Sequence, residues 1–324
     1  MCALHLKNRW GLITQLCRSP DGKKLAGTYW RGDISVWDTS TGEVMCTLSD
    51  HKGNVRSINW SPNGENIVSG GLDQIIRVWN WKTGKMTHQL SGNLSEIRYV
   101  IYSPDGKFIA SCGDEPNIRI WDANTGELLR NISTGFQDPV YWVYCLAFSP
   151  DGETIVSGDI YGVCTVWNYK TGQRVSTLQA GRENITSLSY SPCGETILIS
   201  STDSMVRIWD LDMHTCQELK GHDGPVRSAT YSTHGDYIMS IEWEYTVKFW
   251  RENIRECIKT DQFARIVNPV GNSTQFFLYE KYDGTNVFVH DPAFLCVDTI
   301  LSWYLERKGK LSDPRIWEAI RDFV

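Results

Sequence analysis

No run of eighteen consecutive apolar residues occurs in this 324-residue chain, and its start, MCALHLKNRWGLITQL, has no long apolar stretch. Neither a membrane span nor a secretory leader is therefore expected. No two of the ten cysteines stand closer than the 15 positions between Cys2 and Cys17. That spacing excludes CxxC redox pairs and zinc knuckles, and scattered single thiols point to a reducing, cytoplasmic (or nuclear) compartment. The sequons at Asn93, Asn131, Asn184 and Asn272 would matter only outside it. Positive charge is also short: 32 Lys+Arg against 38 Asp+Glu leave a net −6, so neither nucleic acid nor a membrane is an expected partner. GxSxG, P-loop, HExxH and GxGxxG elements are missing. No two of the seven histidines stand at metal-ligand spacing. No metal, no cofactor and no enzymatic activity are expected.

What is present is periodic. Of the 14 tryptophans, six follow a four-residue turn at constant distance: Ser19-Pro-Asp-Gly with Trp37, Ser61-Pro-Asn-Gly with Trp79, Ser103-Pro-Asp-Gly with Trp121. Ser149-Pro-Asp-Gly with Trp167, Ser191-Pro-Cys-Gly with Trp209 and Ser232-Thr-His-Gly with Trp250 complete the series. The second turn residue precedes its Trp by 17 in every unit, and successive Trp are 42, 42, 46, 42 and 41 apart. Inside a unit, Val55–Trp60 alternates and runs into the Pro/Gly turn, Glu65–Ser69 and Ile75–Trp79 are short strands, and Lys85–Leu90 is a fourth. Four antiparallel strands per repeat make one propeller blade.

The units resemble the WD-40 repeat family through Asp50-His51, Ser61-Pro-Asn-Gly64, Ser69-Gly-Gly-Leu-Asp73 and Val78-Trp79-Asn80. The resemblance covers residues 9–250. It implies an all-β, seven-bladed propeller whose loops and channel bind other proteins. Residues 263–291 read as a degenerate seventh blade, with His290 in the Trp slot. Leu6 and Arg9 repeat the spacing of Leu48 and His51, so residues 1–8 are expected to close blade seven, with 292–298 as the competing strand. The propeller then spans 1–298. The tail 299–324 changes to helical spacing, with Pro314 at a helix start and Ile316, Trp317, Ile320, Phe323 and Val324 on one face. It is a candidate attachment to a larger complex.

The resemblance further implies a buried hydrogen-bond chain in each complete blade. His51, Ser69, Asp73 and Trp79 match all four of its positions, and His222, Ser240, Glu244 and Trp250 match with Glu for Asp. A His–Asp–Ser set also suggests a hydrolase, but a neutral network satisfied indoors rigidifies a blade instead. Arg9, Asn93 and Arg182 fill the His slot elsewhere, so those blades are expected to rely mainly on packing. Glu242 and Glu244, two apart, read as solvated surface.

Two candidate contact sets remain. Arg56, Arg98 and Arg227 share one position of the first strand and cluster at one end of the channel, joined by Arg9, Arg31 and Arg182. They would take an acidic or phosphorylated peptide, or pair with acids of neighbouring blades. Tyr29, Trp30 and Arg31 of blade one, Trp243 and Tyr245 of blade six and Tyr282 of blade seven fall on loops of one face. Tyr, Trp and Arg are what interface hot spots favour, although loop aromatics are also buried between blades. The expected function is a non-catalytic protein–protein interaction scaffold, a subunit or domain of a larger assembly. A reader of acidic or phosphorylated peptides, and an enzyme at the channel mouth, are the alternatives.

Overall fold

The computed structural model describes residues 13–93, 95–135, 141–232, 234–243 and 246–251, followed by the backbone of four further strand segments up to residue 290. Blade one holds β1 (Ile13–Arg18), β2 (Lys24–Tyr29), β3 (Ile34–Asp38) and β4 (Val44–Leu48). Blade two holds β5 (Val55–Trp60), β6 (Asn66–Gly71), β7 (Ile76–Asn80) and β8 (Lys85–Leu90). Blade three comprises β9 (Ile97–Tyr102), β10 (Phe108–Gly113), β11 (Glu115–Asp122) and β12 (Leu128–Ser133). Blade four comprises β13 (Val143–Phe148), β14 (Ile155–Asp159), β15 (Val163–Asn168) and β16 (Gln173–Gln179). β17 (Ile185–Tyr190), β18 (Thr196–Ser201), β19 (Val206–Asp210) and β20 (Thr215–Leu219) form blade five. β21 (Val226–Tyr231), β22 (Tyr237–Glu242), β23 (Thr246–Arg251) and β24 (Glu256–Gln262) form blade six. β25 (Ile266–Val267), β26 (Phe276–Glu280) and β27 (Asn286–His290) make a three-stranded seventh sheet. All pairings among the described strands are antiparallel and sequential, and the protein is an all-β propeller. Residues 1–8, 292–298 and 299–324 lie outside the described residues.

The turn between the first two strands of each blade explains its sequence. In blade two, Gly64 N donates to Ser61 O at 2.8 Å while Gly64 takes φ +68°, a conformation that only glycine adopts without strain. The Ser61 hydroxyl accepts from Asn66 N at 2.9 Å and meets Asn63 Oδ1 at 2.7 Å. Pro at the second position presets the turn and Ser ties its two arms together.

Apolar residues are buried between blades rather than within them. Ala26, Ile34, Val36 and Leu48 of blade one pack on Ile58, Trp60, Ile67 and Trp79 of blade two. Val68, Ile76, Val78 and Leu90 of blade two meet Val100, Tyr102, Ile109 and Trp121 of blade three in the same way. The first strands touch in order, β1 on β5, β5 on β9, β9 on β13, β13 on β17 and β17 on β21, so they line one channel. Each first strand has an edge with no ladder partner, and polar side chains of the preceding blade satisfy its backbone. Gln15 Oε1 accepts from Ile58 N at 2.7 Å, Asn59 Oδ1 from Tyr102 N at 3.1 Å, and Ser187 Oγ from Ala229 N at 3.0 Å.

Candidate functional site

One end of the channel carries the connections between blades and the loops between second and third strands. His51 is held there, on the approach to β5. Trp79 Nε1 donates to Ser69 Oγ at 2.8 Å, and the same hydroxyl lies 2.8 Å from His51 Nε2. The other ring nitrogen, Nδ1, faces Asp73 at 3.0 Å and Arg77 Nη1 at 2.8 Å. Arg77 closes the set on Asp73 at 2.7 Å and on Asp50 at 2.9 Å. Burial pushes the Asp73 carboxyl up, but hydrogen bonds from His51, the Lys52 amide and Arg77 outweigh it and hold the group well below the carboxylate range.

Blade six repeats the arrangement with a correction. His222 Nε2 lies 2.6 Å from Ser240 Oγ, Trp250 Nε1 donates to Ser240 Oγ at 2.8 Å, and His222 Nδ1 faces Glu242 Oε2 at 3.0 Å. The acid is Glu242, not Glu244, which lies outside the described residues. Ser240 and Glu242 are two apart on β22, so both project from one face of the strand, and the longer Glu reaches the ring from there. Glu242 is thus buried rather than solvated surface. Burial lowers His222 from its ordinary 6.5. Burial raises the Glu242 carboxyl, and hydrogen bonds from Thr246 and His222 bring it below its ordinary 4.5. The signs agree. Below about pH 6.5 the unfolded chain takes up a His proton that the folded chain refuses, so stability falls with pH, and the depressed Glu242 extends the loss downward. Asp159, raised by burial, acts in the opposite sense. The melting temperature is expected to fall between pH 7 and 5, and His222→Asn to flatten the upper part of that slope.

The remaining blades fill the same place with other chemistry. Trp121 Nε1 donates to Ser111 at 2.9 Å and Trp167 Nε1 to Ser157 at 2.8 Å, so blades three and four keep half of the chain without histidine. Arg119 pairs with Glu115, and Tyr141 donates its hydroxyl to the buried Asp159. The reading that these blades rely mainly on packing is corrected accordingly. The spacing Ser157/Asp159, equal to Ser240/Glu242, was the available signal. In blade five Ile199 stands ten residues before Trp209, where blades two, three, four and six carry Ser and blade one Gly27, and Arg207 pairs with Asp203 at 2.7 Å. Around one Trp position, blades two to six thus carry differing polar sets. Asp73→Ala strips a buried histidine and arginine of their acceptor and is expected to cost about 1–3 kcal/mol. Asp203→Ala has no histidine to strand and is expected to cost less. Equal midpoint shifts in urea unfolding would refute the difference.

The arginines are already engaged. Arg56 pairs with Glu96 of blade three at 2.9 Å. Arg98 pairs with Asp114, and its guanidinium lies 4.5 Å from the Trp142 ring and 4.7 Å from the Tyr144 ring of blade four. Arg227 lies 5.0 Å from the ring of Trp243. Acids and aromatic faces thus take up these three, whereas Arg31 and Arg182 are exposed and Arg9 lies outside the described residues; Trp142 and Tyr144 are site residues that periodicity alone did not single out.

The exposed aromatics divide. Trp30 is 59% exposed, Trp243 53%, and Arg31 is exposed beside Trp30. Tyr29, expected on the surface, is 1% exposed and packs edge-on against Trp37 at 6.3 Å. The reason is that β2 runs one residue further than expected and ends on Tyr29, whose amide bonds Asp33 O at 2.8 Å. Gly32 then turns at φ +100°, where a Cβ would lie 2.5 Å from His51 O, so the Trp30 loop sits tightly against blade two. Tyr245 and Tyr282 lie outside the described residues. Among the described residues no group of His, Cys, Asp and Glu could hold a metal ion, and no helix is long and apolar enough to cross a membrane.

A family model described as the IFT122 first beta-propeller matches residues 12–274. Protein tipD of Dictyostelium discoideum is 29% identical over 36% of this chain, and nuclear distribution protein PAC1 of Fusarium vanettenii 27% identical over 39%. A probable coatomer subunit beta' of Schizosaccharomyces pombe is 27% identical over 40%. The matched regions span 19%, 32% and 17% of those proteins. The crystal structure of the Myceliophteria thermophila Cps50 (Swd1) beta-propeller domain superposes with TM-score 0.70 at 16% identity. The match covers 80% of this chain and 89% of that one, and it shows the shared fold.

Proposed function

We infer the function from membership: the chain belongs to the IFT122 first beta-propeller family, and its role is that of a non-catalytic protein-interaction scaffold within a larger assembly. Relatives whose names include a coatomer subunit support the assembly. The observation that carries the binding face is the pair of large exposed indoles, Trp30 and Trp243, on loops of the same end of the channel. Blades six, seven and one are consecutive in the ring, so a peptide or partner loop crossing blade seven would meet both rings, with Arg31 adding charge. Hot spots favour such large, rigid side chains. The reading as a receptor for acidic or phosphorylated peptides is weaker, because Arg56 and Arg98 already hold Glu96 and Asp114. We place the propeller at 1–298 and assign the apolar helical face of 299–324 to a second attachment. Scattered single thiols favour a cytoplasmic setting, and the same reducing chemistry holds in the nucleus. The test is capture on immobilised protein with mass spectrometry of what is retained, comparing the native chain with the Trp30→Ala/Trp243→Ala variant. Proteins retained by the first and lost by the second support the site; identical sets refute it.

A further inference from the structure

The opposite end of the channel holds a cavity of about 480 Å3 that belongs to none of the features above. Its rim is built by the Ser-Pro turns of four successive blades, with Pro62, Pro104, Pro150 and Pro192 bordering the opening. Its wall comes from the fifth residue of the first strands, where Asn59, Ile101, Ala147 and Ser189 are only half-buried. Tyr99 also borders it, and it is the large residue at its level of the channel. β1, β5, β13, β17 and β21 carry Gln15, Ser57, Cys145, Ser187 and Ser228 there. Tyr99 packs against the apolar clusters between blades three, four and five.

The chemistry of the border restricts what enters. Among the described residues no charged side chain borders the cavity, whereas aromatic residues from five blades do, Trp60, Tyr102, Phe148, Tyr190 and Tyr231. A charged group placed there would be desolvated without a counter-ion, which is costly, while a ring gains edge and face contacts. The cavity is open to solvent on the turn side, so a free small molecule would stay half-wetted, unlike ligands in closed pockets. A side chain carried on a longer segment suits it better, because the segment continues across the proline rim and covers the opening.

We propose that this cup, at the turn end of the channel, receives an uncharged aromatic side chain presented by an extended segment of a partner protein, separately from the contacts at the opposite end. 5-Fluoroindole is the probe. Its 19F resonance is expected to broaden and shift saturably, with one site per chain. Ala147→Phe and Ser189→Leu, which fill the cup from two different blades, are each expected to weaken it at least tenfold while leaving the melting temperature near that of the native chain. Indole-3-acetate, which carries the charge the cup cannot neutralise, is expected to bind at least tenfold more weakly. Trp30→Ala/Trp243→Ala should leave probe binding unchanged, so the cup and the indole pair stand or fall separately. The proposal is overturned if the probe does not bind, if both filling variants bind it as the native chain does, if the carboxylate binds equally well, or if the Trp variant loses it.

Discussion

The Trp30→Ala/Trp243→Ala chain is expected to lose its main protein partner while melting within a few degrees of the native protein. Truncating a hot-spot Trp costs about 2 kcal/mol or more of binding, so two together weaken a complex about a thousandfold. The folded chain gives up much less. Both rings are more than half exposed, and the Arg227 contact over Trp243 is worth about 0.5–1 kcal/mol at a surface site. Titration calorimetry with the captured partner, beside thermal unfolding of both proteins, separates the two quantities. Unchanged affinity would remove these rings from the interface. A large drop in melting temperature would make them supports of the fold.

The opposite balance is expected at Trp121. This ring is 1% exposed and packs on Val68, Ile76, Val78 and Leu90 of blade two as well as Val100 and Ile109 of its own blade. Its Nε1 also satisfies Ser111. Trp121→Ala removes the largest plug between two blades and is expected to cost about 3–5 kcal/mol. For a domain of this size that is a fall of about 5–8 °C in melting temperature. Chemical denaturation of Trp121→Ala and Trp30→Ala side by side decides the matter. Similar midpoints would mean that the inter-blade layer does not hold the ring together.

The strands were legible because their signals are local. A Pro that presets a turn, a Gly with positive φ and a Trp 17 residues later are constraints inside one unit, and the blades from β1 to β24 follow them, with Thr233 in place of the Pro in blade six. Contacts between units were not legible in that way. Whether Arg98 waits for a ligand or rests on Trp142 depends on residues more than forty positions on, in the next blade. Tyr29 and Trp30 are neighbours of the same chemical kind, and a single extra strand residue sends one inward and the other out. Likewise, Glu242 and Glu244 stand two apart in the sequence, and the repeat spacing alone does not say which of them reaches His222. The cup has no linear signature, because its border collects two to five residues from each of five blades.

The side chains that satisfy the free backbone amides of a first strand come from the blade before it, while Trp60 Nε1 reaches back to Cys17 O of blade one. Gln15 serves β5, Asn59 serves β9 and Ser187 serves β21, so a blade's first strand is finished by the blade made before it, and its apolar face is covered by the one made after. A ribosome delivers the blades in that order. Each new blade therefore finds its backbone partners waiting but presents an uncovered apolar face until about forty more residues have emerged, two to eight seconds at ordinary elongation rates. The growing ring carries one sticky front throughout its synthesis, and that front moves with the ribosome until the last sheet meets the first. A chain halted anywhere short of that point keeps the front open, which makes incomplete propellers targets for chaperones and proteases.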